Sequence, residues 1–302
     1  MASILSKTLE KVVFMSGSKK TFSDPDTFQK LCEDSKKLNA LTYQPDFKKF
    51  TVDTERVQTD RMTYFILNRK GSTSPDKILY LHGGAYLMEI TPEHWKLIND
   101  LAKDMGCEFW VPIYPLAPNH TAKEAYEAVM PLYREFVAAD QEAAAGKRIL
   151  MGDSAGAGLA VGLLQTAKAQ GLPLADGQVL FSPWVDVTMT NPRINGICPY
   201  DPTLDPYGVK LAGEMWAGDL DVKDPMVSPL YGDLALGVRT MILTGTHDIL
   251  NPDSHALYQG MKKQGQEVIL YEEKDLAHVF VMWPIPEAKK ALAEVKKFVL
   301  EG

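Results

Sequence analysis

The sequence contains no apolar run of about 18 residues, so no segment of it reads as a membrane-spanning helix. Cysteine is scarce: Cys32, Cys107 and Cys198 are the only three in 302 residues. Three cannot all pair, and no two are close enough in sequence for a metal knuckle or a C-x-x-C redox motif. They read as free thiols of a reducing compartment, which makes the cytoplasm the expected location. There is no basic excess either. Asp and Glu number 39 against 32 Lys and Arg, for a net charge of −7. A binder of phosphate backbones needs clustered cations, so no nucleic-acid partner is expected. The N-terminal stretch lacks a continuous apolar core, because Ser6, Lys7, Glu10 and Lys11 interrupt it, and it is not read as a signal peptide. No internal repeat or low-complexity tract is present, which removes solenoids and fibrous folds.

What is present is the composition of an ordinary globular protein, 45% hydrophobic and 24% charged. A chain this long can bury roughly three quarters of its unfolded surface without staples. Residues 1 to about 46 read as helical and polar. Ile4, Leu5, Leu9, Val12 and Val13 recur at helical spacing, with Met15 extending the stripe, and Phe28, Leu31 and Leu38 form a second. A stripe of this kind suits a membrane-surface helix as well as a helix packed on the protein. Acid mixed with base on the polar face favours packing.

From Phe47 the pattern changes. Phe50, Val52 and Val57 lie in a β-like stretch, and 62–67 is a second. Short apolar runs then follow at 78–81, 109–113, 148–151, 178–181, 240–243 and 267–271. Helical stretches separate them near 93–105, 121–139, 155–170 and 254–264, and a last one covers 286–300. Strands alternating with helices predict βαβ units and a mostly parallel sheet with helices on both faces. Residues 187–225 break the rhythm. They are rich in Pro, Gly and Asp, with a helical patch around Val209–Trp216, and they sit between two strands. An insertion there is where a lid would go.

The strongest chemical signal is Gly152-Asp153-Ser154-Ala155-Gly156. It follows one apolar run and opens a helical stretch, which is the strand–turn–helix setting that G-x-S-x-G requires. A serine hydroxyl is a poor nucleophile unless it is exposed and activated. A tight turn lifts it above the sheet, and the helix behind it favours developing negative charge. Gly152, Gly156 and Gly158 also fit a dinucleotide loop, and Tyr258 and Lys262 supply a Y-x-x-x-K. However, such a loop follows the first strand of its sheet, and the acidic ribose ligand about 20 residues on is missing. His82-Gly83-Gly84-Ala85-Tyr86 is the second signal. This glycine-rich turn after a strand can present backbone N–H groups beside the serine. With the amide of Ala155 they would make an oxyanion hole, where one donor is worth about 3–4 kcal/mol. His82 itself reads as a support of the loop.

A serine needs a base, and the base needs an orienting carboxylate. Of six histidines, His278 follows the last predicted strand and precedes the last helix. His247 and His255 follow the preceding strand, His94 and His120 precede the serine, and His82 belongs to the loop. For the acid, Asp248 follows the run 240–243, with Asp253 as the alternative. Ser154, Asp248 and His278 then stand in the chain order of an α/β-hydrolase.

On these residues the sequence resembles the hormone-sensitive-lipase-like family of α/β-hydrolases, the carboxylesterases and acetyl esterases. It matches H-G-G-x-[YFW] at His82–Tyr86 and G-D-S-A-G at Gly152–Gly156. Ser182-Pro183-Trp184-Val185-Asp186 and Asp224–Tyr231 are similar to further signatures of the family. The resemblance spans about residues 47–302. It implies an eight-stranded, mostly parallel sheet with helices on both faces and a helical cap, all in one domain, 1–302. The cap would be built from 1–46 and 187–225, and the core from 47–186 and 226–302. It also implies Ser154 as nucleophile, Asp248 as orienting acid and His278 as base. Gly84, Ala85 and Ala155 would donate to the oxyanion, with His82, Gly83 and Asp153 supporting the loops. Two positions depart from the family. Ala85 stands where many members have a third glycine, which narrows the approach for bulky esters. Pro115 stands where an arginine is usual, so the ion pair of that arginine is lost.

The expected activity is that of a serine carboxylesterase acting on small, short-acyl esters, with no metal or organic cofactor. An amidase or peptidase could use the same triad. A non-catalytic receptor of small ligands could use the same fold, although its triad should be incomplete. Tyr200, Tyr207, Met215 and Trp216 of the insertion could close a small pocket or simply pack. Nothing in the sequence excludes a homo-oligomer.

Overall fold

The computed structural model describes residues 2–138 and 146–301. Its N-terminal part holds α1 (Ile4–Ser16), α2 (Lys20–Ser23) and α3 (Pro25–Ser35). Then come β1 (Thr54–Gln58), β2 (Thr63–Leu67), β3 (Lys77–Leu81), α4 (Pro92–Met105), β4 (Glu108–Ile113) and α5 (Ala122–Ala138). Beyond them lie β5 (Arg148–Asp153), α6 (Ser154–Ala169), β6 (Gly177–Phe181), α7 (Ile194–Ile197) and α8 (Pro206–Ala217). The chain closes with β7 (Arg239–His247), α9 (Asn251–Lys263), β8 (Val268–Ala277) and α10 (Pro286–Glu301). Residue 139, the expected end of the helical stretch at 121–139, lies outside the described residues.

The strands form one eight-stranded sheet in the order β1-β2-β4-β3-β5-β6-β7-β8. β1–β2 and β2–β4 pair antiparallel, and every other pair is parallel. This is the architecture the resemblance implies. The strands read as unbroken apolar runs because both faces are covered. In β5, Ile149 and Met151 face one core, with α4 and α10, while Leu150 faces the other, with α5 and α6. β6 alternates in the same way, with Val179 and Phe181 opposed to Leu180. Parallel crossovers bring the C-terminal ends of β3, β5, β7 and β8 to one edge of the sheet, where loops can meet.

The insertion between β6 and β7 and the N-terminal helices pack on each other beside that edge. The Phe28 and Tyr207 rings meet edge-on at 6.5 Å, and Lys19 Nζ donates to the carbonyls of Cys198 and Asp201. Two expectations are corrected here. Phe50 and Val52 lie before the first strand, on loop that packs against the core, and β1 begins at Thr54. The stripe of α1 packs on the body only in part: Leu9 meets the core and Val13 is half-buried, but the rest faces outward. Ile4 is 87% exposed and Met15 86%, and Leu5 and Val12 are more than half exposed. The helix also docks by polar hooks. Ser6 Oγ donates to Glu287 Oε2 at 2.6 Å, and Glu10 Oε1 meets His247 Nδ1 at 2.6 Å. Helical spacing sets the stripe, but these two contacts set which side of the helix faces the protein. Among the described residues no helix is long and apolar enough to cross a membrane.

Candidate active site

Ser154 sits at the junction of β5 and α6 with φ +51, a left-handed value uncommon for a residue with a Cβ. The strain is held by tight neighbours. A Cβ on Gly152 would come within 2.8 Å of both the Leu81 and Gly156 carbonyl oxygens, and one on Gly156 would press into the carbonyls of Leu81 and His82. Only glycine lets α6 start this close to β3. The turn places Ser154 at the wall of a cavity of about 310 Å3. That cavity is also lined by Gly84, Ala85 and His278, with Leu204 from the insertion and Phe22 from α2.

Asp248 follows β7 directly and His278 follows β8 directly. His278 Nδ1 and Asp248 Oδ2 are 2.9 Å apart. Asp248 is fully buried, and its other oxygen accepts the Leu250 amide at 2.8 Å, which fixes the carboxylate plane. His278 keeps 11% of its side chain exposed. Burial disfavours its charged form, but the charges of Asp248, Asp201 and Asp153 more than offset this and raise its pKa above the ordinary value. Among the described residues no hydrogen bond joins Ser154 Oγ to His278, a contact that commonly tightens only as substrate enters.

The turn after β3 divides its amides between two tasks. Gly83 N donates to Asp153 Oδ1 at 3.0 Å. Among the described residues the amides of Gly84 and Ala85 have no protein acceptor, and both residues line the cavity. Gly84 at φ +124 and Ala85 at φ +53 turn the chain so that those N–H groups remain free. Ala155 lies in the first turn of α6, where amides have no helical acceptor. His82 is fully buried, stacks on Tyr114 at 4.5 Å and lies 2.7 Å from the Gly83 carbonyl through Nδ1. Burial and the neighbouring His94 push its pKa down to about 4, so it stays neutral.

Asp153 is the hub behind the serine. Tyr80 Oη donates to its Oδ1 at 2.8 Å, and His94 Nε2 lies 3.1 Å from its Oδ2. Burial would raise its pKa, but His94, Tyr80 and the Gly83 amide outweigh that and hold it below the usual range. The Thr91 amide donates to His94 Nδ1 at 3.1 Å, so in the neutral ring the proton lies on Nε2, toward Asp153.

The other candidates fall elsewhere. His247 is engaged by Glu10 and Tyr200, and His255 by Glu272 at 2.5 Å. Asp253 accepts from Asn191 Nδ2 at 2.8 Å, and burial pushes its pKa up to about 6. Tyr258 and Lys262 meet each other on α9, the Lys262 Nζ 5.8 Å from the ring. Of the four insertion residues weighed as pocket walls, none lines the cavity. Tyr200 and Tyr207 are exposed, Met215 meets Cys32, and Trp216 is fully buried, stacked on Tyr86 at 3.9 Å. Thr203, Leu204 and Val209 line it instead. A larger cavity, about 630 Å3, opens beside Pro115 and the loop after α3; His120 borders it, but Ser154, Asp248, His278 and the residues of the turn after β3 do not.

Two residues near the site were given no role there by the sequence, His94 having been weighed only as a base. His94 reaches Asp153 from α4, 59 positions away in the chain. Asp201 is fully buried beside Asp248, although it lies in the Pro-rich insertion where acidic residues ordinarily face solvent.

A family model described as the α/β hydrolase fold matches residues 78–282. An acetyl-hydrolase of Streptomyces hygroscopicus is 30% identical over 224 residues, 74% of each chain. An esterase of Acinetobacter venetianus is 30% identical over 224 residues, 73% of each chain. Among solved structures, that of EstE5 soaked with p-nitrophenyl butyrate superposes with a TM-score of 0.83 at 26% identity, covering 99% of each chain.

Proposed function

The chain belongs to the α/β-hydrolase family and is a carboxylic ester hydrolase, and from that premise we propose that it works as a serine esterase on small, short-acyl esters. The carrying observation is the His278–Asp248 pair at 2.9 Å, whose His278 lines one cavity with Ser154, Gly84 and Ala85, the last two with amides that have no protein acceptor among the described residues. Ser154 Oγ attacks the ester carbonyl, and His278 Nε2 takes its proton. The oxyanion that forms accepts from the amides of Gly84, Ala85 and Ala155. Asp248 holds His278 in the tautomer that leaves Nε2 free to accept, and then stabilises the imidazolium. His278 returns the proton to the leaving alcohol. Water then enters, His278 acts as base again, and the acyl group leaves Ser154 as an acid.

The short-acyl preference rests on size and chemistry. A volume of about 310 Å3 is at the lower end for ligand pockets, and its walls are largely apolar, with Met88, Trp184, Leu204 and Val209 among them. The segments 1–46 and 187–225 act as the cap, since Phe22 and Leu204 reach this cavity from them. An acetyl-hydrolase relative agrees with a small acyl group.

The test is a p-nitrophenyl ester series from acetyl to dodecanoyl, with Ser154→Ala beside the wild type. The short esters should turn over fastest, and the variant should lose at least about 10⁴-fold in kcat. Equal hydrolysis by the variant would contradict the serine mechanism. A maximum at the long esters would contradict the short-acyl preference.

A further inference from the structure

Asp201 lies in the loop between α7 and α8 and is fully buried. Its Oδ1 accepts from Thr203 N at 2.9 Å, Thr203 Oγ1 at 3.0 Å and Leu204 N at 2.9 Å. Its Oδ2 crosses to the sheet and accepts from Ile249 N at 2.9 Å. Burial and the neighbouring Asp248 charge raise its pKa above the ordinary carboxylate value, against the pull of His278 and the Leu204 and Ile249 amides. All four hydrogen-bond partners are nonetheless donors, which is the set an ionised carboxylate fits. Two buried carboxylates thus hold successive amides of one loop, Asp201 that of Ile249 and Asp248 that of Leu250. Thr203 and Leu204, held by the other oxygen, form part of the cavity wall. One side chain therefore registers that wall against the loop that carries the acid.

We propose that Asp201 is a positioning residue of the hydrolytic site: it fixes the Asp248 loop and places a second negative charge behind His278. The inference rests on the serine-esterase reading. Asp201 acts through Asp248 and His278 and touches no reacting atom. The charged groups around it are Asp248 and His278 on the loops after β7 and β8, and Lys19 in front of α2. Lys19 Nζ donates to the Asp201 carbonyl at 3.2 Å and lies 3.9 Å from Asp205. Asp153 faces His278 from the serine side. Lys19 is engaged at the backbone, so the side chain of Asp201 is left to act on the triad. The direction of the His278 shift agrees, because the Asp201 charge is among its causes.

The test compares kcat/KM against pH for the wild type, Asp201→Asn and Asp201→Glu, with Ser154→Ala alongside. Removing the charge lowers the pKa of the base, so the acid limb of Asp201→Asn should move to lower pH by about one unit. Its kcat at the plateau should fall about 10-fold while KM stays within about threefold, since the loop is loosened but the cavity is kept. Asp201→Glu keeps the charge, and its acid limb should stay within about 0.3 units of the wild type even where kcat falls. A folded Asp201→Asn whose acid limb superimposes on the wild type would overturn the inference. If that variant does not fold, an acid limb of Asp201→Glu displaced by a unit would do so. Hydrolysis that survives Ser154→Ala would instead fail the serine reading, whatever Asp201 does.

Discussion

The C-terminal edge of the sheet has two unlike halves. Beyond β3 lie a neutral imidazole and open amides: His82 has its pKa pushed down to about 4, and among the described residues the Gly84 and Ala85 amides have no protein acceptor. Around the loops after β7 and β8, carboxylates gather: Asp248 and, reaching in from the insertion, Asp201 are buried together, and His278 has its pKa raised. Both histidines follow a strand and both are desolvated, which alone would lower both. The difference lies in the neighbours: Asp248 and Asp201 stand by His278, whereas His94 stands by His82 and outweighs Asp153 there. The contrast suits acyl transfer, in which one half meets a developing oxyanion and the other a developing imidazolium. A cation in the first half or a missing anion in the second would blur the assignment.

The strongest way to break this contrast is Asp248→Asn, which alters only the charged half. The amide leaves the shape but presents the wrong hydrogen-bond pattern to Nδ1, so kcat should fall about 10⁴-fold. Circular dichroism should remain that of the wild type. Next in size is Gly84→Ala in the neutral half. At φ +124 a Cβ is strained, and it would stand 2.7 Å from the Met88 carbonyl oxygen, so the turn must shift. Displacing one hole donor should cost about 10²–10³-fold in kcat, with the acid limb unmoved because the base is untouched. The smallest effect is the wild-type limb itself. His278, the proposed base, must be neutral to take the serine proton, and its pKa is raised. Activity should therefore be lost, as pH falls, at a midpoint above the ordinary value of about 6.5. A midpoint near 4 in stopped-flow assays would assign the base to a group like His82.

Much of the fold could be read directly, because strands covered on both faces are continuous apolar runs. The runs at 78–81, 148–151 and 240–243 fall within β3, β5 and β7. Gly152–Gly156 and His82–Tyr86 were legible because each turn needs small residues at fixed positions. The phase of α1 was not, because Ser6 and Glu10 set it through partners at 287 and 247. Trp216 read equally well as a pocket wall, and only its stacking on Tyr86 makes it packing. The roles of Asp201 and His94 were invisible for a related reason. Their importance lies in what they face, and contacts across 48 and 59 chain positions leave no local pattern.

The central claim is that Ser154 is acylated with His278 as its base. Rapid mixing with p-nitrophenyl acetate, followed by acid quench and peptide mapping, tests it directly. A burst of nitrophenol approaching one equivalent per chain is expected if deacylation is the slower step, with the acetyl group on the Ser154 peptide and none in His278→Ala. Acetyl on any other residue, or the same labelling in Ser154→Ala, would contradict it.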